Sequence, residues 1–391
     1  MIINATPLEE TSMIPKPIIN VPGSIPKMIF EFLCKVKFIF TSFKKRTLNI
    51  NEDFLPQSYM IRTNKNIKII FKYIIAPLLA VWLFYSLYQQ IKSQPNLQQS
   101  IDLIKEAPFG AQAWKFWIVI LLVFVNWGME AKKWKLLIMP VQKISFFTAY
   151  KSVLSGVTLS LNTPNRIGEY GGRILYIKEG NRIKAISLSI AGSISQLVIT
   201  LFMGCGGLIY LLFFQNKHQG PVIGLSVFWI EMLLFISIIV TAVLVLFFFR
   251  LSWLTRLVEK IPAAQKLVKY INVLEEFTPK LLLRLLSLSF FRYIVFVLQY
   301  ILLLQVLHVD IFWTDGFWII SILFLVLAIV PSFAIADLGI RGKFSTELLG
   351  VYSANAIGII GTTFGIWFIN LFIPAILGSI FILGIKFFKD K

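Results

Sequence analysis

Long uninterrupted apolar runs constrain this chain more than any other feature. A helix that crosses a bilayer needs about 20 predominantly apolar residues. Six stretches reach that length: 69–91, 114–130 with a helical continuation to about 139, 185–213, 222–249, 285–308 and 357–385. In hydrocarbon every backbone N–H and C=O must be satisfied within the protein, so such runs fold as helices. The expected class is an all-α polytopic membrane protein. Only 15% of residues are charged, against about 25% in an ordinary soluble domain. The formal charge is +19, and the excess lies between apolar runs rather than on a polar surface. An ordinary cytosolic enzyme, a disordered basic tail and a nucleic-acid binder are thereby excluded. Cys34 and Cys205 stand far apart in apolar surroundings, and His218 and His308 alone cannot make a zinc site. Neither a disulfide framework, a metal site nor a cofactor is expected.

Two more stretches are apolar but interrupted. Residues 145–183 are broken by Asn162-Thr163-Pro164-Asn165 and then by Gly168, Gly171 and Gly172. Residues 317–356 are broken by Pro331-Ser332 and then by Asp337, Gly339 and Gly342. Segment 342–356 carries Lys343, Ser345, Thr346, Glu347, Ser353 and Asn355, which makes it too short and too polar for a lipid-facing span. Both stretches read as re-entrant hairpins. With the N-terminus inside, segments 1–68, 131–184, 250–284 and 386–391 hold 30 of the 38 Lys and Arg. The positive-inside rule then puts both termini in the cytoplasm, most simply at a bacterial inner membrane.

Two amphipathic stretches lie outside the spans. Residues 27–46 set Ile29, Phe32, Leu33, Val36, Ile39, Phe40 and Phe43 at helical spacing among lysines, the pattern of a helix lying on the inner leaflet. Residues 1–66 thus read as a cytoplasmic extension and 67–391 as the transmembrane domain. Residues 251–277 resemble the first stretch, and Thr278-Pro279 reads as the N-cap and first residue of the next helix.

The transmembrane domain divides into halves, 67–216 and 217–391, each reading span, span, broken hairpin, span. Three crossings per half make the second half enter from the opposite face, an inverted repeat of the kind found in secondary transporters. The spans beginning at 114 and 285 lie 171 residues apart, and so do Ile167-Gly168-Glu169-Tyr170-Gly171 and Leu338-Gly339-Ile340-Arg341-Gly342.

The interruptions carry the candidate functional residues. Thr163 and Pro164 read as the start of a helix whose unpaired N–H groups would favour an anion. Arg166 adds a forked cation suited to phosphate, with Arg173 and Arg341 as further headgroup ligands. Glu169 precedes Arg173 by four residues, the favourable order for a helical ion pair. Gly168, Gly171 and Gly172 permit close backbone approach, and with Pro164 they break the first hairpin as Pro331, Gly339 and Gly342 break the second. Asp337 and Glu231 are candidate gating or charge partners, Glu231 being placed near the midplane of 222–249. Arg292 lies about seven residues into its span and is expected to snorkel to the surface.

At these motifs the sequence resembles the flippase-like transmembrane region of lysylphosphatidylglycerol synthases, over roughly residues 65–388. The resemblance rests on Pro164-x-Arg166-x-Gly168-Glu169 with Arg173, on Asn126-Trp127 before Lys132–Lys135, and on Pro331 followed by Leu338-Gly339-Ile340-Arg341. Members usually show Gly-Gly-Leu-Gly-x-x-Glu at the last motif. Here Ala336-Asp337 replaces the first two glycines and Gly342 stands in place of the glutamate. The resemblance implies a transmembrane module without a synthase domain, hence no lysyltransferase activity.

Two functions fit. One is a flippase-like transporter that moves an anionic phospholipid or lipid-linked intermediate between leaflets. The other is a non-transporting accessory of envelope lipid or glycolipid synthesis. An intramembrane enzyme is disfavoured, since no Ser/His/Asp set, metal cluster or phosphate-binding loop is present. The expected partners are membrane lipids, an envelope-biosynthesis enzyme and a second copy of the chain, with no nucleic acid.

Overall fold

The computed structural model describes residues 102, 105–161, 163, 166–214, 226–250, 272–330 and 334–389, all within the unit formed by residues 61–391. The expected span 69–91, the interfacial helix 27–46, the domain boundary near 66, Pro164, Pro331 and residues 251–271 lie outside the described residues.

Every regular element among the described residues is helical. The helices are α1 (Ala113–Ile138), α2 (Phe146–Leu161), α3 (Gly168–Arg173), α4 (Arg182–Phe214), α5 (Val227–Phe249), α6 (Pro279–Val306), α7 (Trp313–Ile329), α8 (Ala334–Leu349), α9 (Ala356–Trp367) and α10 (Ile373–Lys389). A π-helical turn, Phe368–Phe372, joins α9 to α10. Five segments are long and apolar enough to cross a membrane: Ala113–Ile138, Glu179–Phe213, Val227–Phe249, Pro279–Val306 and Ala356–Ile385. These match five of the six expected runs. Large apolar side chains such as Phe202, Phe213 and Phe235 are exposed on their outer faces, as a hydrocarbon solvent allows. The chain is an integral membrane protein.

Local chemistry sets several boundaries. Thr278 caps α6 by accepting a hydrogen bond from the Leu281 amide at 3.3 Å, with Pro279 as its first residue. At the other end His308 takes a left-handed conformation (φ 54). The Val309 amide then turns back to the Leu304 carbonyl at 2.9 Å, closing the helix in a Schellman-like turn. Asn355 caps α9 through the Gly358 amide at 2.8 Å. The part of the expected 251–277 amphipathic stretch that is described, Asn272–Glu276, is a 3-10 turn. Its Val273 and Leu274, with the following Phe277, are buried against protein.

At the first interruption α3 folds back along α2 with almost no space between backbones. A Cβ on Gly168 would meet the Leu159 carbonyl oxygen at 2.1 Å, and one on Gly172 would meet that of Ser155 at 2.2 Å. The Ser152 hydroxyl donates to the Arg173 carbonyl at 2.8 Å and ties the two arms together. Among the described residues the return helix opens at Gly168, whose amide donates to the Thr163 hydroxyl at 2.7 Å. Arg166 between them has φ 57, a left-handed conformation that interrupts a right-handed helix.

The order long helix, 16- or 17-residue helix, break, return helix, long helix occurs twice, as α1–α4 and as α6–α10. Counterparts open at Ala113 and Pro279, Phe146 and Trp313, Gly168 and Ala334, 166 or 167 residues apart. The packing repeats as well. The first interrupted stretch packs through α2 on α10, and the second through α7 on α4, so each lies against the last helix of the other half. Small residues permit both contacts. Gly378 sits against the Leu154 carbonyl, and Gly204, Gly206 and Gly207 sit against Leu325, Trp318 and Ile322.

The α2–α10 contact predicts a contrast between two glycines. A Cβ on Gly378 would lie 2.1 Å from a backbone oxygen, whereas one on Gly128 in α1 would meet nothing within 4 Å. Gly378→Ala should destabilise by about 1–3 kcal/mol, seen as a lower melting temperature in detergent. Gly128→Ala should leave that temperature unchanged or raise it.

Candidate functional site

Glu130 lies in α1, two turns from its C-terminal end, with its side chain 4% exposed. A lone carboxylate there would be prohibitively desolvated. Three cations from three elements surround it. Lys133, one turn further on, places Nζ 2.9 Å from Oε2. Arg292 of α6 donates Nη1–H to the same oxygen at 2.9 Å. Arg173 of α3 donates Nη2–H to Oε1 at 2.7 Å. The same Arg173 nitrogen also bonds Glu169, one turn back along α3.

Neutral groups extend the network in two directions. Arg292 Nε–H donates to Asn126 Oδ1 at 2.7 Å, and the Asn126 amide donates to Asn370 Oδ1 at 3.2 Å. Asn370 sits in the π-helical turn. The wider turn puts an amide between helices where a regular α-helix would keep its backbone closed, a frequent device at functional positions. On the other side Lys133 donates to the Gly192 carbonyl and the Ser289 hydroxyl, both at 3.4 Å. Trp134 lies under the Arg173 guanidinium at 5.4 Å, and Trp127 under that of Arg292 at 5.2 Å. Both faces offer the cations favourable quadrupoles.

Five ionised side chains are thereby gathered: three cations and two carboxylates, a formal excess of one positive charge. Lys133 and Arg173 are each 2% exposed, Arg292 13% and Glu169 21%. Glu169 is the member that water reaches most easily. Arg166 stands outside the cluster, exposed, within electrostatic reach of Glu169 and Arg292. Among the described residues it forms no ion pair. A site of this kind attracts an anion, with one forked cation at the surface and three more behind it.

The structure gathers only part of the expected set. Glu169 and Arg173 pair as their spacing predicts. Arg173 faces carboxylates rather than open space, so its guanidinium is already engaged. The amide of Gly168, first in the six-residue α3, is taken by the Thr163 hydroxyl and so is not open to an anion. Gly171 and Gly172 lie with Gly168 in α3. Arg341 is on α8, half-buried, within electrostatic reach of Tyr300. Tyr300 is eight residues, about 12 Å, along α6 from Arg292. Its hydroxyl meets Ser345 at 3.0 Å and Thr363 at 2.6 Å. Gly339 and Gly342 are buried in α8. The Asp337 side chain lies outside the described residues. Glu231 is exposed at the fifth position of α5. Helix α5 opens at Val227, so Glu231 sits about 6 Å from its start rather than deep in the helix.

Three members of the cluster escape a sequence reading. Glu130 looks like the polar end of a weak span, Lys133 like one of several inner-face lysines, and Arg292 like a snorkelling cation. Arg292 instead turns inward to Asn126 and Glu130. The available signal was three polar residues, Asn126, Glu130 and Lys133, spaced four and three apart on one face of α1.

Residues 69–378 match the family model for the lysylphosphatidylglycerol synthase TM region. No curated protein matches the chain.

Removing the charge of Glu130 leaves three buried cations without their common counter-ion. Breaking a buried pair in this way costs about 3–5 kcal/mol. Glu130→Gln should therefore abolish or sharply reduce the folded fraction, measured as monodisperse protein by fluorescence-detected size exclusion. Glu179→Gln, which loses only an exposed pair with Arg182, should not.

Proposed function

This chain belongs to the lysylphosphatidylglycerol synthase transmembrane-region family, and on that premise we propose that it is a flippase-like transporter of an anionic phospholipid or lipid-linked intermediate. The observation that carries the reading is the unbalanced buried cluster, three cations against two carboxylates, beside the exposed Arg166, which forms no ion pair among the described residues. Arg166 receives the lipid phosphate from the aqueous edge while the acyl tails stay in the bilayer. Arg173 and Arg292 supply positive potential behind it. Arg341 offers a second contact on the other interrupted stretch.

The transport reading also takes the two interrupted stretches as re-entrant hairpins that enter from opposite faces, in an inverted repeat with both termini in the cytoplasm. The twice-occurring element order and the crossed packing of each interrupted stretch on the other half's last helix support it. So does the short length of α2, α3 and α8. The route has a second polar end. Helices α1 and α6 also border an opening of about 550 Å³ lined by Gln112, Lys115, Gln305, Asp310, Phe312 and Trp313. Lys115 lies fifteen residues before Glu130, or about 22 Å along α1. A headgroup moving between those ends would travel most of a hydrocarbon thickness of about 30 Å. The protein performs no covalent chemistry in this scheme and works in a bacterial inner membrane, with membrane lipids as partners. The close burial of Glu130, Lys133 and Arg173 favours a second reading, an accessory that holds an anionic lipid for an envelope-biosynthesis enzyme without moving it.

Arg166→Ala removes one charge-assisted contact of about 1.5–3 kcal/mol. Headgroup-resolved scrambling in proteoliposomes should fall by at least about tenfold, since 1.4 kcal/mol is a factor of ten. Arg166→Lys should recover only part, because an ammonium lacks the planar fork. Folding should be spared, since Arg166 is exposed. Wild-type scrambling by Arg166→Ala would refute the assignment. No scrambling by the wild-type protein, with anionic-lipid binding intact, would leave the accessory reading.

A further inference from the structure

Glu130 and Glu169 share one guanidinium but are held unequally. Glu130 has cations from three elements within 2.9 Å. Glu169 has Arg173 as its ion-pair partner, and its side chain is 21% exposed. It rides on a six-residue helix that runs straight into a 3-10 turn, Ile174–Tyr176. The Nε–H of Arg173 is buried and has no hydrogen-bond acceptor among the described residues. That donor is an unused position for a second acceptor oxygen beside the one Glu169 supplies. Arg166 addresses the same carboxylate from longer range.

We infer that Glu169 is an internal stand-in for the phosphate of an anionic lipid, and that binding proceeds by exchange: the phosphate displaces the Glu169 carboxylate from Arg173, and Glu169 passes to Arg166. The inference rests on the anionic-lipid reading above and adds a specificity-determining residue to it. The exchange is balanced in charge. One monoanion leaves the buried cluster as another enters, so no guanidinium loses its counter-ion at any stage. A phosphodiester has two free oxygens and can satisfy Nε–H and Nη2–H of Arg173 together, whereas Glu169 bonds Nη2 and leaves Nε without an acceptor. A headgroup that carries an ammonium brings a further cation beside Arg166, Lys133, Arg173 and Arg292 and binds less tightly than one with the phosphate charge alone. Arg166 serves both stages, first holding the arriving phosphate and then receiving the departing carboxylate. Glu169 and Arg173 are one turn apart, so their separation also removes the side-chain tie across α3.

The test uses the full chain in nanodiscs of phosphatidylcholine, with and without phosphatidylglycerol. Two readouts are followed: affinity for spin-labelled phosphatidylglycerol, and hydrogen exchange over residues 166–176. In the wild-type protein phosphatidylglycerol should speed exchange in α3, and phosphatidylcholine alone should not. Glu169→Gln removes the competitor, so its affinity for phosphatidylglycerol should rise about tenfold, and the lipid-dependent change in exchange should vanish. Glu169→Asp should lie between. If Glu169→Gln does not fold, the wild-type exchange measurement decides by itself. Unchanged or slower α3 exchange on adding phosphatidylglycerol would overturn the inference. An affinity of Glu169→Gln equal to or below wild type would do the same. In either case a retained preference for anionic lipid in the wild-type protein would leave the transporter reading standing, whereas no such preference would remove that reading. Inorganic phosphate should not reproduce the effect; an equal response to it would assign the exchange to a soluble anion and overturn the lipid assignment.

Discussion

A carboxylate buried inside a membrane protein has to be answered by charge, and the answer to Glu130 organises this fold. Taking an ion out of water costs several kcal/mol even after the protein relaxes around it. Here the cost is offset by cations from α1, α3 and α6 that all meet one carboxylate. Among the described residues Lys133 and Arg292 pair with no other carboxylate, whereas Arg173 also holds the more exposed Glu169. The positions of α3 and α6 relative to α1 are therefore fixed by the geometry of two carboxylate oxygens. Apolar packing sets that these helices associate; the ion pairs select one register among many that would bury similar area.

The close approach of α3 to α2 is the steric condition for that arrangement. Gly168 and Gly172 leave room for the Leu159 and Ser155 carbonyls, so α3 can run directly along its partner and present Arg173 inward. A larger residue at either position would push α3 outward and draw the guanidinium away from Glu130. Small residues thus act here through the charges they bring together, as well as through the van der Waals contact that such interfaces usually exploit.

The two halves repeat an architecture and diverge in chemistry. Around α1 the polar interior is ionic and carries a positive excess. Around the counterpart helix α6, further along from Arg292, it is a hydroxyl set of Tyr300, Ser345 and Thr363 with Arg341 within electrostatic reach. Neutral hydroxyls can satisfy one another by rotating their protons, whereas five fixed charges cannot rearrange without leaving one exposed.

The helical class and five of the expected apolar runs were legible in the sequence because a span is a local property: about twenty apolar residues must become a helix wherever they sit in a bilayer. The two interruptions were legible as local changes of composition, but the glycines counted among the breaks lie within α3 and α8 and end neither helix. The Glu169–Arg173 pair was legible from a spacing of four within one element. The meeting of Glu130 with Arg173 and Arg292 was not, because those residues are 43 and 162 positions away along the chain, and no helical period relates them. Nor could sequence tell whether Arg292 would run outward to water or inward to a carboxylate. Its long side chain reaches both, and only the packing of α6 against α1 placed Asn126 and Glu130 within its reach. The placement of Gly168 was likewise decided by tertiary structure: at the opening of α3 a residue without a side chain lies against the Leu159 carbonyl.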